Sequence, residues 1–156
     1  MNISGELLDE LVAHALEDPG NEVCGVVAVE AIGSAGGQAD GTSADAGGQA
    51  DGERPVRAVR VLRATNIHAS PLKFEIDPTE LLQLYLGIEA DGNALGAIYH
   101  AHVRSPPYTS QTDINFAANW PGVEWIIVGL AAGAEPEVRS YAIEDGEVRE
   151  VPLEVR

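Results

Sequence analysis

Cysteine and lysine are almost missing from this chain. Its 156 residues include one Cys, Cys24, and one Lys, Lys73. A single cysteine excludes an intrachain disulfide. Cations of any kind are scarce: 9 Lys and Arg stand against 25 Asp and Glu, for a formal net charge of −16. Such a surface repels phosphate backbones and anionic headgroups, which excludes nucleic acid and membrane surfaces as partners. The acidity fits a high-salt cytoplasm or a GC-rich genome equally well. No apolar run approaches the roughly 18 residues of a membrane span. The stretch Met1 to Leu8 has neither the basic nor the apolar region of a secretory signal. The expectation is a cytoplasmic protein.

With 45% hydrophobic residues the chain can bury a real core, and its length suits one domain over residues 1–156. Ser4 can cap a helix running to about Glu17, with Leu7, Leu8, Leu11, Val12, Ala15 and Leu16 at helical spacing. His14 on that helix reads as a surface residue. Asp18-Pro19-Gly20 stops the helix, and Val23 to Val29 follows as a buried strand. Residues 33–54 are rich in Gly, Ala and Asp, without a large apolar residue, and repeat Gly-Gly-Gln-Ala-Asp-Gly at 36–41 and 47–52. They read as a flexible insertion that carries no core. Val56 to Ala64 resumes as a strand whose Arg57, Arg60 and Arg63 do not share one face, so a solvated edge is expected. Asp77-Pro78-Thr79-Glu80 is a helix start with Pro at the first position. That helix would turn Leu81, Leu82, Tyr85 and Ile88 inward. Trp120 and Trp125 read as core, Glu124 to Leu130 as an apolar strand, and 139–143 with 147–151 as a final strand pair. The pattern is mixed α/β, a central sheet flanked by helices.

The chemistry lies in His100-Ala101-His102, followed after seven residues by Ser110 and Asp113. Gly96 to His102 is a short run of strand formers. Side chains alternate across a strand, so His100 and His102 share a face with Ile98 while Tyr99 and Ala101 take the other. Pro106-Pro107 prevents a regular central strand from continuing and turns the chain back. Ser110 then opens a short helix over 114–119, with Asp113 near its start. Taken alone, Ser110 and Asp113 read first as a capping box. Capping and ligation do not conflict, because a cap fixes the loop that presents both side chains. Two His and one carboxylate form the ligand set of a catalytic zinc site with one position open to water. Water at such a site is a nucleophile at neutral pH, so the pattern points to metal-assisted hydrolysis.

This pattern resembles the JAMM, or MPN-plus, metallopeptidases: an upstream Glu, then H-S/T-H, seven residues and S-x-x-D. Here Glu22 in Asn21-Glu22-Val23-Cys24-Gly25 is similar to the family's Glu strand. Phe74-Glu75-Ile76-Asp77-Pro78, 121–128 and 138–143 resemble the small prokaryotic members. The resemblance spans nearly the whole chain outside 33–54. Ala101 departs from the family's Ser or Thr. It points away from the expected metal, so no ligand is lost. The resemblance implies a cytidine-deaminase-like JAMM/MPN fold with a mostly antiparallel central sheet. It implies one catalytic zinc on His100, His102 and Asp113. Glu22 would hold the attacking water as general base and pass the proton to the leaving amine. Ser110 would hydrogen-bond the oxyanion. Without the resemblance, Glu22 is one surface acid among many.

The implied partner is a ubiquitin-fold sulfur carrier or modifier whose extended Gly-Gly tail could add as a strand beside the site. The amide bond after that tail would be cut, releasing a terminal cysteine or, alternatively, freeing the modifier from a protein lysine. Cysteine release is the first expectation. A non-catalytic scaffold of MPN type is the alternative outside enzymes. Three further residues are candidates for touching substrate. Arg104 could clamp a terminal carboxylate. His68 lies in a loop-like stretch before the substrate-facing region. Cys24 shares a strand face with Glu22, although a small buried apolar role suits it better.

Overall fold

The computed structural model describes residues 1–32, 56–131 and 135–156. The expected insertion at 33–54 lies outside the described residues. Eleven elements follow in order: β1 Asn2–Ile3, α1 Gly5–Glu17, β2 Cys24–Glu30, β3 Ala58–Ala64, α2 Pro78–Ala90, β4 Asn93–His102, α3 Gln111–Ala117, β5 Glu124–Gly129, β6 Glu137–Glu144, β7 Glu147–Val151 and β8 Glu154–Val155. Six strands form one sheet in the order β3-β2-β4-β5-β6-β7. Only β4 and β5 run parallel; the other neighbours are antiparallel. The fold is therefore the mixed α/β sheet with flanking helices that the sequence suggests. The two-residue strands β1 and β8 pair with each other in parallel. They are too short to leave a period in the sequence. Among the described residues no helix is long and apolar enough to cross a membrane.

The sheet has a core on each face. One face packs Leu11 and Ala15 of α1 against Val27, Tyr99, Ala101 and Val128. The other gathers Cys24, Val26, Ile98, Trp125 and Ile127 with Phe74, Ile76 and Ile88. Ser4 caps α1 by accepting from the Leu7 amide, and Asp77 caps α2 by accepting from Thr79 and Glu80. Arg57, just before the edge strand β3, and Arg60 and Arg63 within it each pair with an acid: Glu30, Asp91 and Glu17. The hairpin joining β6 and β7 turns at Asp145 and Gly146, both with positive φ, which suits an Asp-Gly pair.

Two helix faces differ from the sequence reading. His14 is buried and Leu16 is 52% exposed. At about 100° per residue, Leu16 stands about 140° from Leu11 and His14 only about 60° away. In α2, Leu82 is 53% exposed while Leu81, Leu84 and Tyr85 flank the buried Ile88. Leu82 lies about 120° from Ile88 around the helix. The apolar identity of both leucines misled the reading; the angle decides.

The buried His14 has a specific partner. Its Nδ1 lies 2.7 Å from the Tyr99 hydroxyl. Burial pushes the phenol's pKa up and the imidazole's down, so the hydroxyl donates and Nδ1 accepts. Tyr99→Phe strands that nitrogen and is expected to cost about 1–3 kcal/mol in chemical denaturation. Combining it with His14→Leu should recover part of the loss. Metal binding should be unchanged in both, because Tyr99 and the two site histidines take opposite faces of β4.

Candidate metal centre

β4 carries an unbroken buried stretch from Gly96 to its end at His102. His100 and His102 occupy the face that also holds Ile98 and Cys24. The Ala101 side chain is fully buried on the opposite face, among Val128 and Ile126. Beyond His102 the chain is fixed by three contacts. His102 Nδ1 lies 2.9 Å from the Pro106 carbonyl. A carbonyl only accepts, so Nδ1 holds the proton and Nε2 keeps its lone pair. The Tyr141 hydroxyl donates to the Pro107 carbonyl. Pro107 packs on Gly129, where a Cβ would come within 2.7 Å of the proline ring.

The anchored loop delivers α3. Its cap is reciprocal: the Asp113 amide donates to Ser110 Oγ at 3.2 Å, and the Ser110 amide donates to Asp113 Oδ2 at 2.8 Å. Capping therefore uses one carboxylate oxygen and leaves the other. Asp113 Oδ1 stands 3.5 Å from His100 Nε2, and the two histidine Nε2 atoms are 3.0 Å apart. All three side chains are buried, and their ligand atoms lie within 4.8 Å of one another. Ligands about 2.0–2.1 Å from a tetrahedral zinc stand about 3.3 Å apart. The cluster thus has the atoms and nearly the spacing for one such ion. Burial pushes His100 down to about 4, opposed by the nearby Asp113 charge. The imidazole is neutral at physiological pH, as a ligand must be. Its Nδ1 has no hydrogen-bond partner. The ring is held instead by stacking on Phe74, 4.1 Å between centroids.

Glu22 sits just before β2, outside its ladder. Its backbone is held by the segment after β3. The Glu22 amide donates to the Ser70 carbonyl, and Asn66 Nδ2 donates to the Glu22 carbonyl, both at 2.8 Å. The side chain turns into a cavity of about 130 Å³ lined also by His100, His102, Ser110, Asp113, Lys73 and Phe74. Burial, then the Asp113 charge, raises the Glu22 carboxyl to about 7. A larger apolar hollow of about 220 Å³, walled by Ile76, Phe116 and Trp125, lies on the other side of Phe74. It contains none of the metal-binding cluster.

The remaining candidates lie elsewhere. Arg104 is exposed on the loop after β4 and is not part of the cavity wall. His68 Nε2 is 2.8 Å from Glu75. Cys24 is paired with His100 in the β2–β4 ladder, but its thiol is fully buried beneath the site. Burial pushes that thiol up to about 12, so it is not a thiolate at neutral pH. Asn66, Lys73 and Phe74 escaped the sequence reading. The sequence marks the segment through His68 in a loop-like stretch and Phe74 in a family-like one, but no spacing rule connects 66–74 to residue 22 or 100.

Residues 4–144 match the family described as prokaryotic homologs of the JAB domain. The CysO-cysteine peptidase of Mycobacterium tuberculosis is 31% identical over 153 residues, 98% of this chain and 89% of that protein. The desampylase of Haloferax volcanii is 30% identical over 132 residues, 81% of this chain and 78% of that protein. In solved structures, a protein from Desulfitobacterium hafniense has the same fold, with a TM-score of 0.76 at 22% identity over 99% of this chain and 92% of that one.

The buried Glu22 makes a pH-dependent prediction for the metal-free protein. A carboxyl that titrates at about 7 when folded and near 4.5 when unfolded binds its proton more tightly in the fold. Stability then falls as pH rises from 4.5 to 7, by up to about 3 kcal/mol. Glu22→Gln removes that loss. Thermal melts of metal-free protein should show the variant more stable than wild type at pH 8 and equal to it near pH 4. Equal stability at both pH values would show that Glu22 carries no such burden.

Proposed function

The chain belongs to the prokaryotic homologs of the JAB domain, and from that premise we propose a zinc-dependent peptidase. Its substrate is the amide bond after the C-terminal Gly-Gly of a ubiquitin-like sulfur carrier or modifier. One observation carries this reading: His100, His102 and Asp113 converge in the same buried cavity as Glu22 and Ser110. His100, His102 and Asp113 would hold the ion, which when bound would supply Lewis acidity for amide hydrolysis. Glu22 takes a proton from the attacking water as its oxygen bonds to the carbonyl carbon. The protonated Glu22 carboxyl then gives that proton to the leaving nitrogen as the C–N bond breaks, leaving a carboxyl group on Gly and a free amine. The Ser110 oxygen already accepts from the Asp113 amide, so its O–H is free to donate to the carbonyl oxygen as charge builds there. Such a donor is worth roughly 100- to 1000-fold in rate.

Release of a terminal cysteine is the favoured reaction, supported by the similarity to the CysO-cysteine peptidase over 98% of this chain. The similarity to desampylase supports a second reading, removal of a modifier from protein lysines. A non-catalytic scaffold has no need of a complete ligand set beside a buried carboxylate. We place the protein in the cytoplasm, with no nucleic acid or membrane partner.

The test is the intact mass of a ubiquitin-fold carrier bearing one extra C-terminal cysteine, incubated with the zinc-loaded protein. Loss of that cysteine, blocked by a chelator, is expected. Asp113→Ala should abolish zinc binding and lower kcat/KM by at least about 1000-fold. The same change removes half of the α3 cap and should cost about 1 kcal/mol of stability. Undiminished turnover by Asp113→Ala or by chelated protein would defeat the metallopeptidase reading.

A further inference from the structure

The wall of the candidate site includes a cationic side chain that neither the ligand set nor the proton transfer uses. Lys73, the single lysine of the chain, lines the same cavity as Glu22, His100, His102 and Ser110. The described arginines Arg57, Arg60, Arg63, Arg139 and Arg156 each sit in an ion pair. Lys73 has no ion-pair partner among the described residues. In that respect it is matched only by Arg104, which is outside the cavity wall, and Arg149 on the distant strand β7.

Its position is built. Asn66 fills its whole hydrogen-bonding capacity in this segment. One amide nitrogen donates to the carbonyls of Glu22 and Lys73, at 2.8 and 3.0 Å. The amide oxygen accepts from the backbone of His68 and Glu75, both at 3.1 Å. The next residue, Phe74, is buried and stacks on His100. Lys73 is thus tied on one side to the residue that carries the base and on the other to a metal ligand. Its stem begins from a fixed point at the cavity mouth, although the side chain itself reaches solvent.

Charge and chemistry say what such a cation recognises. The cavity already holds two carboxyl groups, Glu22 and Asp113, in a chain of net charge −16. A divalent ion on the three ligands would balance those two charges and leave no surplus, so an anionic substrate group gains a counter-charge there only from a further cation. The two candidate leaving groups differ in this respect. In a terminal amino acid the scissile nitrogen is attached to the α-carbon, and a free carboxylate stands two bonds away from that nitrogen. In a lysine isopeptide the nitrogen is followed by a methylene stem and a neutral main chain.

We propose that Lys73 is a specificity-determining residue whose ammonium pairs with the free α-carboxylate of the amino acid being released. The site therefore favours removal of a single C-terminal residue from the carrier over cleavage of a lysine isopeptide. This rests on the peptidase reading above and goes further by naming the leaving-group class and the residue that selects it. Arg104 lies outside the cavity wall, so Lys73 takes the role of carboxylate clamp that the sequence suggested for arginine.

The experiment uses the zinc-loaded full chain and three synthetic substrates. One is a ubiquitin-fold carrier ending in Gly-Gly-Cys as the free acid. The second is the same carrier as the Cys carboxamide. The third has Gly-Gly joined to a lysine side chain within a peptide. Wild type is expected to prefer the acid over the carboxamide by roughly 10- to 100-fold in kcat/KM, mostly through KM. In Lys73→Met that ratio should fall to about one, and Lys73→Arg should restore much of it. Binding of the acid and carboxamide to the metal-free protein gives a readout without turnover. The acid should bind more tightly to wild type, less so as salt rises, and no more tightly than the carboxamide to Lys73→Met. A wild type indifferent to the two, or an acid preference that survives in Lys73→Met, overturns the proposal. Preferred cleavage of the lysine conjugate overturns it while leaving the peptidase reading intact. Failure to release zinc-dependent product from all three overturns the peptidase reading beneath it.

Discussion

The parallel pairing of β4 with β5 is the constraint on which the site depends. Antiparallel neighbours can be joined by a tight turn; parallel ones need a crossover. The chain leaving His102 must therefore travel back before β5 can start at Glu124. The crossover is α3 with its approach loop, and its first turn carries Ser110 and Asp113. The two histidines end β4 beside the start of that connection, so the topology itself brings the third ligand to the first two. On the opposite edge of β4, the antiparallel strand β2 places Cys24 beside His100, and Glu22 lies two residues earlier. One strand with a parallel and an antiparallel neighbour thus gathers the His100, His102 and Asp113 cluster on one side and the Glu22 carboxyl on the other.

Burial does the electrostatic work. His100 is kept neutral by exclusion from water, and Glu22 is kept partly protonated near neutral pH by the same effect. Both conditions are costly without a cation, since two carboxyl groups and two imidazoles share about 130 Å³. A divalent ion offsets that cost by supplying the missing positive charge. The same burial raises the proton affinity of Glu22 in the metal-free site, and a cation beside it would favour the ionised carboxylate that can accept a proton.

The sequence made the ligand cluster legible because its signals are local. H-x-H on a strand and S-x-x-D at a helix start follow from periods of two and of one turn. Glu22 is different: its place beside Asp113 depends on strands distant in sequence, and only the family resemblance separated it from the other acids. Asn66, Lys73 and Phe74 were not legible, because their contacts with residues 22 and 100 span dozens of residues without periodicity. The helix faces failed for another reason. Leu16 and Leu82 are apolar, and hydrophobic identity outweighed the angular position that in fact turns them outward, while His14 was read as surface for its polarity. Strands β1 and β8 were too short to see.

Two separate devices hold the site. The reciprocal Ser110–Asp113 cap and the Pro106–Pro107 anchors fix the ligand side. Asn66, which ties the Glu22 carbonyl to the backbone of His68, Lys73 and Glu75, fixes the Glu22 side. Phe74 joins the two by stacking on His100. The division has a chemical consequence. Under the proposed mechanism, metal affinity would depend chiefly on the first device and proton transfer on the second. Lys73 belongs to the second, sharing its hydrogen-bonding amide with Glu22. A shift of that segment moves the base and the cation at the cavity mouth together. Under the proposed roles of Lys73 and Glu22, selection of the leaving group and delivery of its proton would both depend on one side-chain amide.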